Sequence, residues 1–259
     1  MGILDTDMAR MSAAAKAGLR SVADFVWPAR SVLTGERHGG EGGIAPEDFA
    51  KLRFLNGGGC RTCGAVVEVD LGPETICGAC AAKAPRWDQA RAALAYDDVT
   101  RQMILEFKHG GRRDGLGAMG TWMAMAGSDV LEDTDWLVPV PLHYQRLVRR
   151  GFNQAGWLAQ AVSRRSGVGV MVDGLKRVKA TPSQGGLTAR QRQKNVAGAF
   201  AVRDARKGML KGATVTLVDD VYTTGSTLSA ATLALNRAGV ARVNLLVLAR
   251  VVRDTDVTI

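Results

Sequence analysis

Apolar positions along the chain switch repeatedly between two periods. ARAALAYD (90–97) is a compact apolar run and reads as a buried strand, whereas VTRQMILEFKH (99–109) spaces its apolar residues as a helix does. GLGAMGTWMAMAG continues as a second helical segment, and WLVPVPL (136–142) is a short buried strand. The basic stretch HYQRLVRRGFNQ follows, with Asn153 or a neighbour placed to cap the helix QAGWLAQAVSRR. VGVMV (168–172) and ATVTLVD (213–219) read as strands, STLSAATLALNRAG as a helix ending at Gly239, and VNLLVLARV as the last strand. Residues 176–200 follow no clean period and are expected to form a loop or flap. Strands alternating with helices predict an α/β domain over 88–259, a mainly parallel sheet with helices on both faces. The Ala- and Gly-rich residues 1–58 are expected to hold one amphipathic helix before Pro28 and a flexible turn at RHGGEGG (37–43).

The length of 259 residues suits one such core plus a small appended module. The longest apolar run, VNLLVLARVV, is interrupted by Arg250 and is too short to span a bilayer. The first twenty-odd residues carry scattered charges and no signal-type apolar segment, so the expectation is a cytoplasmic protein without membrane insertion.

Charge changes the picture more. The net charge of +9 is unevenly placed: between Leu142 and Gly212 stand 15 Lys or Arg against two acids, Asp173 and Asp204. Such a block suits a polyanionic partner, either a phosphorylated small molecule or a nucleic acid, or else a solvated surface kept for solubility.

The four cysteines fall in two C-x2-C pairs, Cys60–Cys63 and Cys77–Cys80, separated by 13 residues. Two such turns complete a tetrahedral S4 metal site, and zinc is the expected ion of a ribbon over 59–84. Two disulfides or a redox pair are the alternatives; a reducing compartment disfavours the first, and the second needs only one pair. The closed ligand set predicts a structural site rather than a catalytic one.

The sharpest chemistry lies in VTLVDDVYTTGSTL (215–228). Asp219 and Asp220 end an apolar run, and Thr223, Thr224, Gly225, Ser226 and Thr227 lead into a helix. Ligands of open parallel sheets bind beyond the carboxyl ends of the strands. Unpaired N–H groups at a helix start, with hydroxyls beside them, form an anion site that fits a phosphate. Two carboxylates close by suit the diol of a ribose whose 5′-phosphate occupies the turn. A plain helix cap at Ser226 or Thr227, preceded by a solvated acid pair, is the alternative. The Walker pattern is absent.

The stretch resembles the phosphoribosyl-pyrophosphate (PRPP) motif of type I phosphoribosyltransferases. From about residue 45 the chain resembles the ComF family, in which an N-terminal zinc ribbon precedes a phosphoribosyltransferase domain linked to bacterial competence. CRTCG, CGAC, FKHGG (107–111), VPVPLHYQRLVRRGFNQA (138–155), TPSQGGLTARQRQKNVAGAF (181–200) and VDDVYTTGSTL carry the resemblance in order. It implies Asp219 and Asp220 as the catalytic pair on the ribose hydroxyls, directly or through magnesium. It implies Val221, Tyr222, Thr223, Thr224, Gly225, Ser226 and Thr227 as the PRPP loop. Arg146, Arg150 and Lys108 would meet the pyrophosphate, and Gln184, Arg192 and Asn195 would belong to a closing flap. Magnesium with PRPP, or a related phosphosugar, and structural zinc are the implied cofactors and ligands. The alternative is a non-catalytic competence factor whose basic face and zinc ribbon dock single-stranded DNA or a helicase partner. Members often carry a further ribbon upstream; here Ser31, Thr34, Ala45 and Asp48 stand at the matching spacing, so that ribbon is expected to be metal-free.

Overall fold

The computed structural model describes residues 31, 33, 44–55, 59–67, 72–110, 113, 115–179 and 189–252. The helix expected before Pro28 and the turn at 37–43 lie outside them.

A short helix α1 (Pro46–Phe49) precedes the cysteine module, whose second pair opens α2 (Gly78–Ala82). The sheet domain begins with β1 (Ala90–Ala95), followed by α3 (Asp98–Gly110), α4 (Leu116–Ala126) and α5 (Ser128–Glu132). Next come β2 (Trp136–Pro139), α6 (Tyr144–Arg150), α7 (Gln154–Ser166) and β3 (Gly169–Val170). A small antiparallel pair, β4 (Leu175–Arg177) and β5 (Phe200–Val202), brackets α8 (Ala189–Val196). One turn of 3-10 helix and α9 (Lys207–Leu210) lead to β6 (Thr214–Tyr222), α10 (Ser226–Arg237) and β7 (Arg242–Arg250).

Five strands form a parallel sheet in the order β1-β7-β6-β2-β3. Its interior strand β7 is buried from Val243 to Arg250, the near-continuous apolar run of a strand covered on both faces. Successive side chains feed opposite cores. Leu217, Leu245 and Val247 join Leu228, Ala231 and Leu235 of α10 on one face. Val218, Leu246 and Leu248 join Phe107, Met119 and Leu158, from α3, α4 and α7, on the other. Truncating a fully buried residue such as Leu246 to alanine costs about 2–5 kcal/mol. Gly120 lets α4 and α7 meet backbone to backbone: a Cβ there would stand 2.6 Å from that of Ala161.

Both sheet edges are short or covered. β3 pairs with β2 through only two residues. Along β1, the Leu55 N–H donates to Ala93 O and the Ala95 N–H donates to Arg53 O.

The predicted fold holds, with local corrections. Residues 176–200 are not an irregular loop in their described part but a strand–helix–strand unit, because β4 and β5 close on each other and bury Leu175, Val196 and Val202. The basic stretch after Leu142 coils into α6, started by His143, whose Nδ1 accepts from the Gln145 N–H at 3.4 Å. The strand expected at 168–172 shrinks to two residues.

Candidate functional site

β6 does not stop at the acid pair. It runs through Asp219 and Asp220 to Tyr222, since pairing with β7 continues at Val221↔Ala249 and Tyr222↔Arg250. Past Tyr222 the chain turns, and Gly225 sits in the left-handed region at φ 72° as the residue preceding α10. Its Cβ position lies 2.9 Å from the Trp87 ring and 3.0 Å from the Tyr222 ring, so both space and conformation demand glycine. No side chain caps α10; Thr224 and Ser226 instead share a hydroxyl–hydroxyl hydrogen bond of 3.0 Å. The N-cap position falls to Gly225 rather than to Ser226 or Thr227.

A cavity of about 320 Å³ opens at this end of the sheet. Asp219, Asp220, Val221, Thr223 and Thr227 line one side, and Arg146, Arg150 and Lys108 line the others. Residues up to 119 positions apart in sequence, Lys108 to Thr227, therefore converge on one opening. Lys108 Nζ pairs with Asp220 Oδ2 at 2.5 Å, so it neutralises the acid pair rather than standing free for a phosphate. The Asp220 N–H donates to Asp219 Oδ1 at 2.9 Å. Burial, and then the Asp220 charge, push the Asp219 carboxyl well above the usual carboxylate range; Lys108 and the Asp220 N–H pull the other way.

Two lining residues escaped the sequence reading. Arg177, on β4, reaches the cavity from a segment without apolar periodicity. Burial and then the nearby Arg146 charge lower its pKa, and Asp219 opposes them; as a guanidinium it remains charged. Gln154, 3% exposed, also lines the cavity, and its Nε2 has no hydrogen-bond partner among the described residues. Its only sequence signal was its place at the start of a helix beside the basic stretch. Asn153 does not cap that helix with its side chain; its Nδ2 donates to Val140 O at 3.1 Å, tying α7 to the end of β2.

Of the expected flap, Gln184 lies outside the described residues. Arg192 and Asn195 are on α8; Asn195 is half-buried and does not appear in the described cavity wall.

The four cysteines meet. All four Sγ atoms lie within 4.8 Å of one another, and Cys60, Cys63 and Cys77 are buried. The Cys63–Cys77 Sγ separation of 3.7 Å matches the edge of a tetrahedron with metal–sulfur bonds of about 2.3 Å. No disulfide joins them. Gly59 and Gly64, at φ 112° and 67°, make the turns possible. Crowding sets the thiols against one another: hydrogen bonding to Cys60 pushes Cys63 up to about 12. The donor set fits a divalent ion such as zinc, which would hold all four as thiolates.

Upstream, Ser31 Oγ donates to Asp48 Oδ2 at 2.5 Å, both residues buried, and Lys51 pairs with the same carboxylate at 2.9 Å. Two of the four positions matched to an additional ribbon thus touch through a hydrogen bond. Thr34 lies outside the described residues.

A parallel sheet in this order, with paired acids and a glycine-hydroxyl turn at its carboxyl end, defines a type I phosphoribosyltransferase-like protein. The family model for a phosphoribosyl transferase domain matches residues 147–257. Competence protein F of Haemophilus influenzae is 34% identical over 67% of this chain and 78% of its own length. The DNA utilization protein YhgH of Escherichia coli is 31% identical over 67% and 77%. Competence protein ComFC of Bacillus subtilis is 28% identical over 73% and 76%. The chain belongs to the ComF family of competence-linked, phosphoribosyltransferase-like proteins. Among the described residues, no helix is long and apolar enough to cross a membrane.

Proposed function

We propose that this protein binds PRPP with magnesium in the cavity at the end of β6 and transfers or senses its ribose 5-phosphate. The convergence of Asp219 and Asp220 with Thr223, Thr227 and three arginines around one opening carries this reading. The 5′-phosphate fits the turn ahead of α10, and the ribose diol fits the two carboxylates. Arg146, Arg150 and Arg177 face the pyrophosphate, where leaving-group charge grows as the C1–oxygen bond breaks. Magnesium, when bound, supplies further positive charge to that leaving group. Lys108 must loosen its hold on Asp220 as the diol arrives, and it is then free to turn toward the pyrophosphate.

Calorimetry of PRPP with magnesium at physiological salt tests this. Saturable binding is expected, about 100-fold weaker or absent in the Asp219→Asn/Asp220→Asn double variant, with plain pyrophosphate unable to reproduce it. Binding that the variant keeps, or that pyrophosphate matches, would sink the proposal.

A second reading draws on the adjoining cavity of about 430 Å³, which shares Pro141, Leu142, Asn153 and Arg177 with the first. There Tyr144, 73% exposed, and Trp157 stand near Lys176 and Arg203. An exposed ring among cations suits single-stranded nucleic acid, although Trp157 is already stacked on Phe152 and under Arg113, and the similar proteins are named for competence and DNA utilization. Such binding, with a helicase partner or without one, predicts steep salt dependence and indifference to Asp219→Asn.

A further inference from the structure

The cysteine centre and the phosphate-type turn are joined by two short chains of contacts, and neither belongs to the metal site or to the cavity wall alone. The first runs through Arg250, the last residue of β7 and only 6% exposed. Its Nε donates to Cys63 O at 2.8 Å, and its Nη2 lies 3.5 Å from Cys63 Sγ. The same guanidinium stands over the Tyr222 ring at 5.0 Å. Tyr222 is its register partner on β6, and the Tyr222 ring abuts Gly225.

The second chain runs through Trp87. Its Nε1–H donates to Thr62 O, inside the first cysteine pair, at 2.7 Å. Its ring meets Tyr222 edge to face at 5.6 Å and, like the Tyr222 ring, closes the space where a Gly225 Cβ would stand. Gly225 is therefore walled by two rings, Trp87 bonded to the Cys60–Cys63 turn directly and Tyr222 tied to it through Arg250.

A buried guanidinium needs a counter-charge. Four thiolates around one divalent ion carry a net charge of about −2, and Arg250 is placed against one of the sulfurs. We infer that Arg250, with Trp87 and Tyr222, is a positioning device through which the metal-bound cysteine turn holds the Tyr222–Gly225 segment in its ligand-ready shape. Metal occupancy and ligand affinity are then linked, each raising the other. The ligand half of this statement rests on the PRPP reading; the conformational half does not.

The test keeps those halves apart. Hydrogen exchange is followed by mass spectrometry on the full chain as purified, its zinc content measured first. Arg250→Met keeps an unbranched apolar stem and removes the guanidinium with its charge and donors. Amides of residues 223–229 are expected to exchange about tenfold faster in Arg250→Met than in the parent, while those of 136–166 change less than about twofold. Zinc transfer to a colorimetric chelator is expected to quicken in the same variant. Arg250→Lys keeps charge but not the fork, and is expected to rescue zinc retention more than turn protection. Trp87→Phe removes the Nε1–H donor to Thr62 together with the part of the indole that reaches Gly225, and is expected to give an effect confined to 223–229. It decides the matter should Arg250→Met fail to fold.

Unchanged exchange at 223–229 in both variants overturns the coupling, whether or not zinc leaves faster. A purified protein without stoichiometric zinc overturns it too. Magnesium–PRPP is finally expected to slow zinc transfer in the parent. If PRPP does not bind at all, the ligand reading fails while the exchange result still decides the coupling.

Discussion

The cysteine centre and the acid-pair cavity are both places where the chain crowds groups that ionise to negative charge, and they resolve the crowding in opposite ways. At the first, four sulfurs close on one another with three of the residues buried, leaving room for a single ion and nothing else. At the second, two adjacent carboxylates face an opening lined by arginines, with Lys108 as a resident counter-ion. A closed cluster has no open position for a ligand and acts through the chain it holds in place. An open one, balanced by a cation on a flexible stem, can exchange that cation for a ligand.

The largest effect should come from opening the closed cluster. Cys60→Ser leaves three thiols around a site that needs four, and metal binding of this kind is coupled directly to folding. Loss of zinc and a fall in stability of several kcal/mol are expected, read by elemental analysis and thermal melting. A variant that melts with the parent would erase the contrast between the two regions.

The acid pair should behave the opposite way. The folded protein holds the Asp219 proton more tightly than the unfolded chain does, because burial and Asp220 raise its pKa. Its stabilising contribution is complete below the unfolded value, near 4, and is lost as pH rises toward and through the folded value. Asp219→Asn is therefore expected to melt higher than the parent at pH 7.5, with the gap closing near pH 4, even as it loses PRPP. A lower melting point at neutral pH would mean that the carboxylate is stabilised in place rather than strained.

The smallest effect sharpens the point about the counter-ion. Lys108 and Asp220 are mostly but not fully buried, at 24% and 15% exposure. Lys108→Met should cost roughly 1–2 kcal/mol in a denaturant melt, between the values for exposed and buried pairs. It should also weaken PRPP binding, because the acid pair then repels the pyrophosphate without relief.

How much of this could be read from the sequence followed distance along the chain. The cysteine pairs and the Asp219–Thr227 run were legible because each is a local pattern whose spacing is itself the chemistry. The cavity's other wall was not. Arg177 reaches it only because β4 and β5 pair and carry an arginine back over the sheet. Three residues of strand give too little periodicity to register. Asn153 looked like a helix cap because its type and place fit one. Its preference for Val140 O depends on where β2 ends, which is a tertiary fact. The strand β6 outran its apolar stretch for a similar reason: ladder pairing with β7 carries it past Val218, whatever the side chains. Lys108 was read as a phosphate contact and sits on Asp220, since a flexible cation beside an acid pair settles on the charge already present.

The covered edges of the sheet bear on the protein's behaviour in a crowd. A parallel sheet ends in rows of free amide and carbonyl groups that invite another chain to add a strand. Here one flank is claimed by residues 53–55 and the other narrows to two residues at β3. Strand-to-strand polymerisation has no long template to start from, so concentrated solutions should resist fibril growth for as long as residues 53–55 stay seated on β1.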